Sequence, residues 1–295
     1  MALSLRDLYV LDAPLCALGE SPVWSSAERS LYWVDILGMR IHCWSALEGQ
    51  SRFWDMPAAP GSLGLVDGGG LVVALKSGIH RFDPQNGNLS LLTHPEVHRP
   101  GNRYNDGKVS PDGRFFVGTM DDAPDKQPVA SLYAIGSGHH YRWVKSGLKV
   151  SNGLAWSPDG RWMYHSDSRW AKVWRHSYDV ETGAVGPAQE WIDYLPQWGR
   201  PDGAAVDAEG CYWSCGVSAG RINRFDPDGR LMDFGVLPVS HPTMPCFGGD
   251  GGKTLFITTL RAEVPPDILP GTPLAGATLA MTVDVPGVPV SAWRP

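Results

Sequence analysis

Val109-Ser-Pro-Asp-Gly113 followed by Arg114-Phe-Phe-Val-Gly118 recurs as Trp156-Ser-Pro-Asp-Gly160 followed by Arg161-Trp-Met-Tyr-His165. In both stretches an apolar run enters a small polar turn and a second apolar run leaves it, the pattern of two strands joined by a tight connection. Val206-Asp-Ala-Glu-Gly210 before Cys211-Tyr-Trp-Ser-Cys215 is a third copy. Looser ones are Val66-Asp-Gly-Gly-Gly70 before Leu71-Val-Val-Ala-Leu75, and Gly248-Gly-Asp-Gly-Gly252 before Lys253-Thr-Leu-Phe-Ile257. The first copy has drifted to Trp24-Ser-Ser-Ala-Glu28 before Ser30-Leu-Tyr-Trp-Val34. The last turn residues fall at 28, 70, 113, 160, 210 and 252, with spacings of 42, 43, 47, 50 and 42 residues. That period matches one four-stranded blade, so six copies predict an all-β, six-bladed β-propeller. Gly78-Ile-His-Arg-Phe82 and Gly220-Arg-Ile-Asn-Arg-Phe225, each followed by Asp-Pro, read as third strands of their blades. No composition break divides residues 1–295, which predicts a single domain, and no amphipathic helix is expected.

Composition agrees. The 35 glycines and 25 prolines are dispersed through a chain that is 43% hydrophobic, which suits many hairpins rather than disorder. A net charge of −6 with no basic stripe speaks against nucleic acid. No run reaches the roughly 20 apolar residues of a membrane span, and residues 1–14 lack the apolar core of a signal peptide. A cytoplasmic location and a monomer are therefore expected. The five cysteines are scattered without metal-knuckle spacing, so they read as buried or idle thiols.

The innermost strand of each propeller blade lines the central channel, so its opening residues converge on the axis. Eight residues before each aligned turn position stand Glu20, Ser62, Asn105, Asn152, Asp202 and Met244. Four polar groups thus open otherwise apolar strands such as Gly153-Leu-Ala-Trp156. Two carboxylates brought together without a cation repel each other and lose hydration. A hard divalent ion removes both costs, and carboxylate and amide oxygens are its preferred ligands. The ring therefore predicts an axial metal site.

Arg103 stands two residues before a ring position, with donors suited to sugar hydroxyls or a carboxylate. Asp106 precedes a glycine and reads as turn-forming. His139 and His140 adjoin a Gly-Ser-Gly turn and read as solvent-facing. Asp121 to Pro128 forms an acidic, Pro-containing loop, either a lid at the channel mouth or a solvated turn. No nucleophile elbow supports serine or cysteine chemistry.

Several motifs together resemble the senescence marker protein (regucalcin)/gluconolactonase/luciferin-regenerating-enzyme family. They are Leu18-Gly-Glu-Ser-Pro-Val-Trp24, Asn102-Arg-Tyr-Asn-Asp-Gly-Lys108, Gly118-Thr-Met120, Ser151-Asn-Gly-Leu154, Arg200-Pro-Asp-Gly203 and Cys246-Phe-Gly-Gly249. They run in family order from residue 18 to about 260. The resemblance implies a six-bladed propeller with one divalent ion (Ca²⁺, Zn²⁺, Mn²⁺, Mg²⁺ or Fe²⁺) held by Glu20, Asn152 and Asp202. It implies that Arg103 and Asn105 contact substrate and that Asp202 is also the general base. An acidic residue after Gly-Thr-Met, Asp121 or Asp122 here, is implied to contact substrate hydroxyls, with Asp121 taken as the match. The expected reaction is hydrolysis of a sugar lactone to its aldonate. The alternatives are an organophosphate-type phosphotriesterase on the same scaffold and a non-enzymatic calcium-binding regulator, against which the absence of an EF-hand pattern speaks.

Overall fold

The computed structural model describes residues 6–295 and contains twenty-four strands, numbered β1 to β24 in chain order. They form six antiparallel four-stranded sheets. The innermost strands are β2 (Gly19–Ser25), β6 (Pro60–Leu65), β10 (Asn102–Val109), β14 (Ser151–Trp156), β18 (Arg200–Val206) and β22 (Pro242–Gly248). Each packs against the next, and β22 returns to β2, so the ring is closed and the protein is a six-bladed β-propeller. Among the described residues the only helical pieces are four short 3₁₀ turns.

Why these segments form stacked blades follows from the alternation of side chains along a strand. Phe115 and Phe116 are neighbours, yet one packs into the seam toward the second blade and the other into the seam toward the fourth. Tyr212 and Trp213 divide in the same way between the two seams of the fifth blade. Leu31 and Tyr32 do so in the first blade. A sheet covered on both faces needs apolar residues at successive positions, which is why the second strand of each blade reads as a continuous run. Six hydrophobic clusters result, one in each seam between neighbouring blades.

The sixth blade is completed from the far end of the chain. Its outer strand is β1 (Arg6–Val10), which pairs antiparallel with β24 (Leu279–Thr282). The ring is therefore tied by hydrogen bonds between the two ends of the chain. This closure was not part of the sequence expectation, because β1 is short, largely exposed and carries no repeat turn.

The segment after β24 makes a second tie across the face that bears the blade turns. Gly287 N–H donates to Gly252 O (3.0 Å), Val288 N–H to Val206 O (3.0 Å), Trp293 N–H to Leu65 O (2.7 Å) and Arg294 N–H to Gly113 O (2.9 Å). The segment thus crosses from the sixth blade to the fifth, second and third. A cavity of about 90 Å³, lined by apolar residues of all six inner strands, lies between it and the axial polar groups.

Trp293 anchors this crossing. Its indole is fully buried in the seam of the second and third blades, and Nε1–H donates to Ile135 O (3.2 Å). Trp293→Ala is expected to cost about 3–5 kcal/mol, the usual range for deleting a buried tryptophan. Urea denaturation checks this, and a loss below about 1 kcal/mol would mean that the tail lies on the core without belonging to it.

Candidate active site on the propeller axis

All six inner strands carry a register irregularity beside the ring position. A bulge bends the strand and re-aims a side chain, so the polar groups turn toward the axis without breaking the rest of the ladder. Ser21, directly after Glu20, takes φ +50°, and Gly153, directly after Asn152, takes φ +65°. At Gly153 a side chain is excluded for a second reason: a Cβ would stand 2.4 Å from the Tyr212 hydroxyl.

The four expected residues meet in one hydrogen-bonded chain or beside it. Arg103 NH1 donates to Asn105 Oδ1 (2.8 Å), and Asn105 Nδ2 donates to Asn152 Oδ1 (3.0 Å). Asn152 Nδ2 donates to Asp202 Oδ1 (2.7 Å) and to Ser168 Oγ (2.7 Å). Glu20 lies opposite, with Oε2 accepting from Ser21 N–H (2.8 Å). Neither Glu20 Oε1 nor Asp202 Oδ2 accepts a hydrogen bond from any described residue.

Burial and neighbouring carboxylates dominate the electrostatics of both acids. Burial, then the charges of Asp202 and Asp106, push the Glu20 carboxyl well above its ordinary range. Burial and Asp106 raise Asp202 to about 8, while Arg200 and Arg103 pull it down. Lys108 is buried in the channel wall and donates to Ala204 O. Burial lowers its pKa, and Asp106 and Glu20 are among the groups that oppose this. Arg103 adds little free charge, because its guanidinium also faces Tyr104 O (3.0 Å) and Asp122 (3.4 Å).

Two expectations need correction or refinement. Asp106 does not form a turn; it lies buried within β10, and its Oδ2 accepts Leu154 N–H from the fourth blade (2.9 Å). A Cβ at 107 would stand 2.4 Å from Ser62 Oγ, so close approach of the second blade, not an Asp-Gly reversal, explains the glycine. Asp121 turns its carboxylate to the N–H groups of Ala123 (3.0 Å) and Gln127 (2.8 Å), shaping the acidic loop. It is Asp122 that reaches Arg103 and Lys76 (2.7 Å). Burial alone would raise Asp122, but Lys76 and Arg103 outweigh it and hold the carboxyl below its usual range. His139 and His140 are exposed, and all five cysteines are buried and unpaired, as expected.

Two further groupings of metal-ligating side chains lie off the axis, Cys16 with Asp35 and His42, and Asp207 with Glu209 and Cys211. In both, the aspartate already serves structural donors. Asp35 accepts the N–H groups of Ala17, Leu18 and Gly38, and Asp207 accepts Trp213 Nε1–H and Arg224.

Comparison with known proteins bears on the family and the fold. The family model for the SMP-30/Gluconolactonase/LRE-like region matches residues 18–261. A Pseudomonas putida protein named 6-deoxy-6-sulfogluconolactonase is 40% identical over 271 residues, covering 92% of each chain. Regucalcin from Sus scrofa is 33% identical, covering 93% of this chain and 94% of its own. The crystal structure of a regucalcin from Agrobacterium tumefaciens, described as a calcium-binding protein, superposes with a TM-score of 0.93 at 27% identity over 100% of this chain and 99% of that one. With its repeat, its axial polar ring and these relatives in agreement, the chain belongs to the SMP-30/gluconolactonase/LRE-like family.

Proposed function

We propose that the protein is a sugar lactonase that opens an aldonolactone to its aldonate at a single divalent metal ion. The observation that carries the metal is the pair of buried carboxylates, Glu20 and Asp202, each with an oxygen that no donor of the described residues reaches and each with raised proton affinity. Asn152 Oδ1, which accepts one bond from Asn105 and has a second lone pair to give, would complete a set of hard oxygen donors. Sequence relatives named as lactonases support the choice of reaction.

A bound divalent ion supplies Lewis acidity at the lactone carbonyl and an electrostatic partner for the developing oxyanion. The chain's own groups do the rest. Asp202, held by Asn152 at Oδ1, takes the proton of the attacking water at its free Oδ2. Asn105 holds Asn152 in place and, with Arg103, turns donors toward the sugar hydroxyls. Asp122 fixes the Arg103 guanidinium from the outer side and joins it at the mouth. Val288, Pro289, Val290 and Ser291 of the tail line the cavity beneath these groups.

The direct test is acid release from a panel of five- and six-carbon lactones with added divalent ions. Wild type is expected to hydrolyse at least one of them. Asp202→Asn at saturating metal should be slower by roughly 10²–10⁴-fold, the usual worth of a general base. Full recovery of turnover by that variant would reduce Asp202 to a ligand, and no hydrolysis under any condition would return the protein to a binding role. Arg103→Ala should raise KM for the lactone far more than it weakens metal binding, since a guanidinium has no lone pair to give an ion.

The metal also has a signature independent of turnover. A carboxyl whose folded pKa is raised loses stability for the fold as pH climbs from its unfolded value to its folded one. For Asp202 that window ends near pH 8. The buried histidines, whose pKa values are lowered, complete their opposite effect by about pH 6.5. Between pH 6.5 and 8 the chelated protein should therefore melt at progressively lower temperature, and a bound divalent ion should flatten that slope. Parallel profiles with chelator and with metal would show that the ion does not sit on these carboxylates.

A further inference from the structure

A second set of equivalent positions stands beside the ring. In five blades the residue that follows the second strand donates its backbone N–H to the carbonyl that precedes the inner strand. The pairs are Ile36 to Leu18 (2.9 Å), Lys76 to Ala59 (2.9 Å), Asp122 to Gly101 (2.9 Å), Ser168 to Val150 (3.2 Å) and Leu260 to His241 (2.9 Å). The shared hydrogen bond fixes each residue beside the start of its inner strand, where the ring groups lie. In the third and fourth blades the side chain at this position reaches a group of the site. Asp122 pairs with Arg103 (3.4 Å), and Ser168 Oγ accepts from Asn152 Nδ2 (2.7 Å).

Ser168 does more than touch Asn152. Its hydroxyl donates to Pro201 O (2.6 Å), the carbonyl directly before Asp202. A carbonyl can only accept, so the serine proton is committed there and only lone pairs face Asn152. Asn152 must therefore turn its amide nitrogen to Ser168 and its Oδ1 the other way, toward Asn105 Nδ2 (3.0 Å). At the far end of the same chain Arg103 can only donate, and it gives a proton to Asn105 Oδ1 (2.8 Å). A donor-only guanidinium and an acceptor-only carbonyl thus close the two ends, and each amide between them has one permitted orientation. Asn152 spends both of its N–H bonds, on Asp202 Oδ1 (2.7 Å) and on Ser168, and keeps oxygen lone-pair capacity for a ligand. The serine is buried and rigidly mounted. Asp167, beside it, accepts Lys149 N–H (2.7 Å) and Val150 N–H (3.2 Å) at Oδ2, and Arg169 N–H (2.9 Å) and Trp170 N–H (3.2 Å) at Oδ1. One carboxylate thereby ties the entry of β14 to the turn that carries Ser168.

We propose that Ser168 is a positioning residue for the axial ion: it fixes the orientation of the Asn152 amide and sets the span from Asn152 to Asp202 across the fourth and fifth blades. This rests on the metal-dependent reading and adds to it a residue that acts through a ligand. Hydrogen-bond partners of metal ligands are typically worth roughly 10–100-fold in metal affinity or activity.

Calorimetric titration of the chelated protein with Mn²⁺, Ca²⁺ and Zn²⁺ tests this without turnover. Ser168→Ala, and Ser168→Cys with its weak hydrogen-bonding thiol, should each bind the ion roughly 10–100-fold more weakly than wild type. Because the effect passes through Asn152, Ser168→Ala should cost little further affinity in an Asn152→Ala background. A general loosening of the fold would add there in full. Unchanged affinity in Ser168→Ala, or a loss that adds in full to that of Asn152→Ala, overturns the role of Ser168 and leaves the axial metal site standing. Absence of saturable binding of all three ions by wild type is the separate outcome that removes the metal itself, and this inference with it.

Discussion

The repulsion between two buried carboxylates, Glu20 and Asp202, brought together on the propeller axis is the constraint around which the site is built. Among the described residues, neither carboxylate forms an ion pair with an arginine or lysine. Lys108 lies in the channel wall and is spent on a backbone carbonyl. Asn152 satisfies one oxygen of Asp202, and a backbone N–H satisfies one of Glu20. A protein that merely needed a stable propeller could place alanines at these positions. Keeping two buried acids half satisfied costs stability in the absence of a cation, and such sites are where function resides.

The scaffold tolerates this because its stability comes from elsewhere. Each of the six seams between blades has its own apolar cluster, contributed by alternate side chains of strands that are buried on both faces. The axial groups belong to none of these clusters. Bulges let the inner strands turn a ring residue inward, polar in every blade but the sixth, and return to their pattern within a few positions. Folding energy and site chemistry are thus divided between different residues of the same strands.

The division also explains what could be read from sequence. Blade number and the ring positions were legible because turn and ring residue keep a constant separation within one strand, and local spacing is visible in a chain. Roles that depend on loop conformation were not. Asp121 and Asp122 are neighbours of identical chemistry, and only the hydrogen bonds inside the loop decide that the second faces Arg103. Asp106 followed by glycine looks like a reversal, yet tertiary context buries it between two blades. The closing strand β1 and the crossing tail were invisible for a related reason. Their partners lie hundreds of residues away or across the channel, and neither carries the repeat.

Because β1 pairs with β24, it must wait for its partner until nearly the whole propeller has been made. Until residues 279–282 emerge, five blades can form from contiguous segments while the sixth lacks its outer strands. A nascent chain in that state presents unpaired backbone at both ends of an open ring, the exposed edge that invites pairing with another chain. Synthesis of this protein is thus expected to have a vulnerable interval that ends only once β24 has been made. Pausing or truncation just before residue 279 would favour aggregation out of proportion to the short stretch of sequence involved.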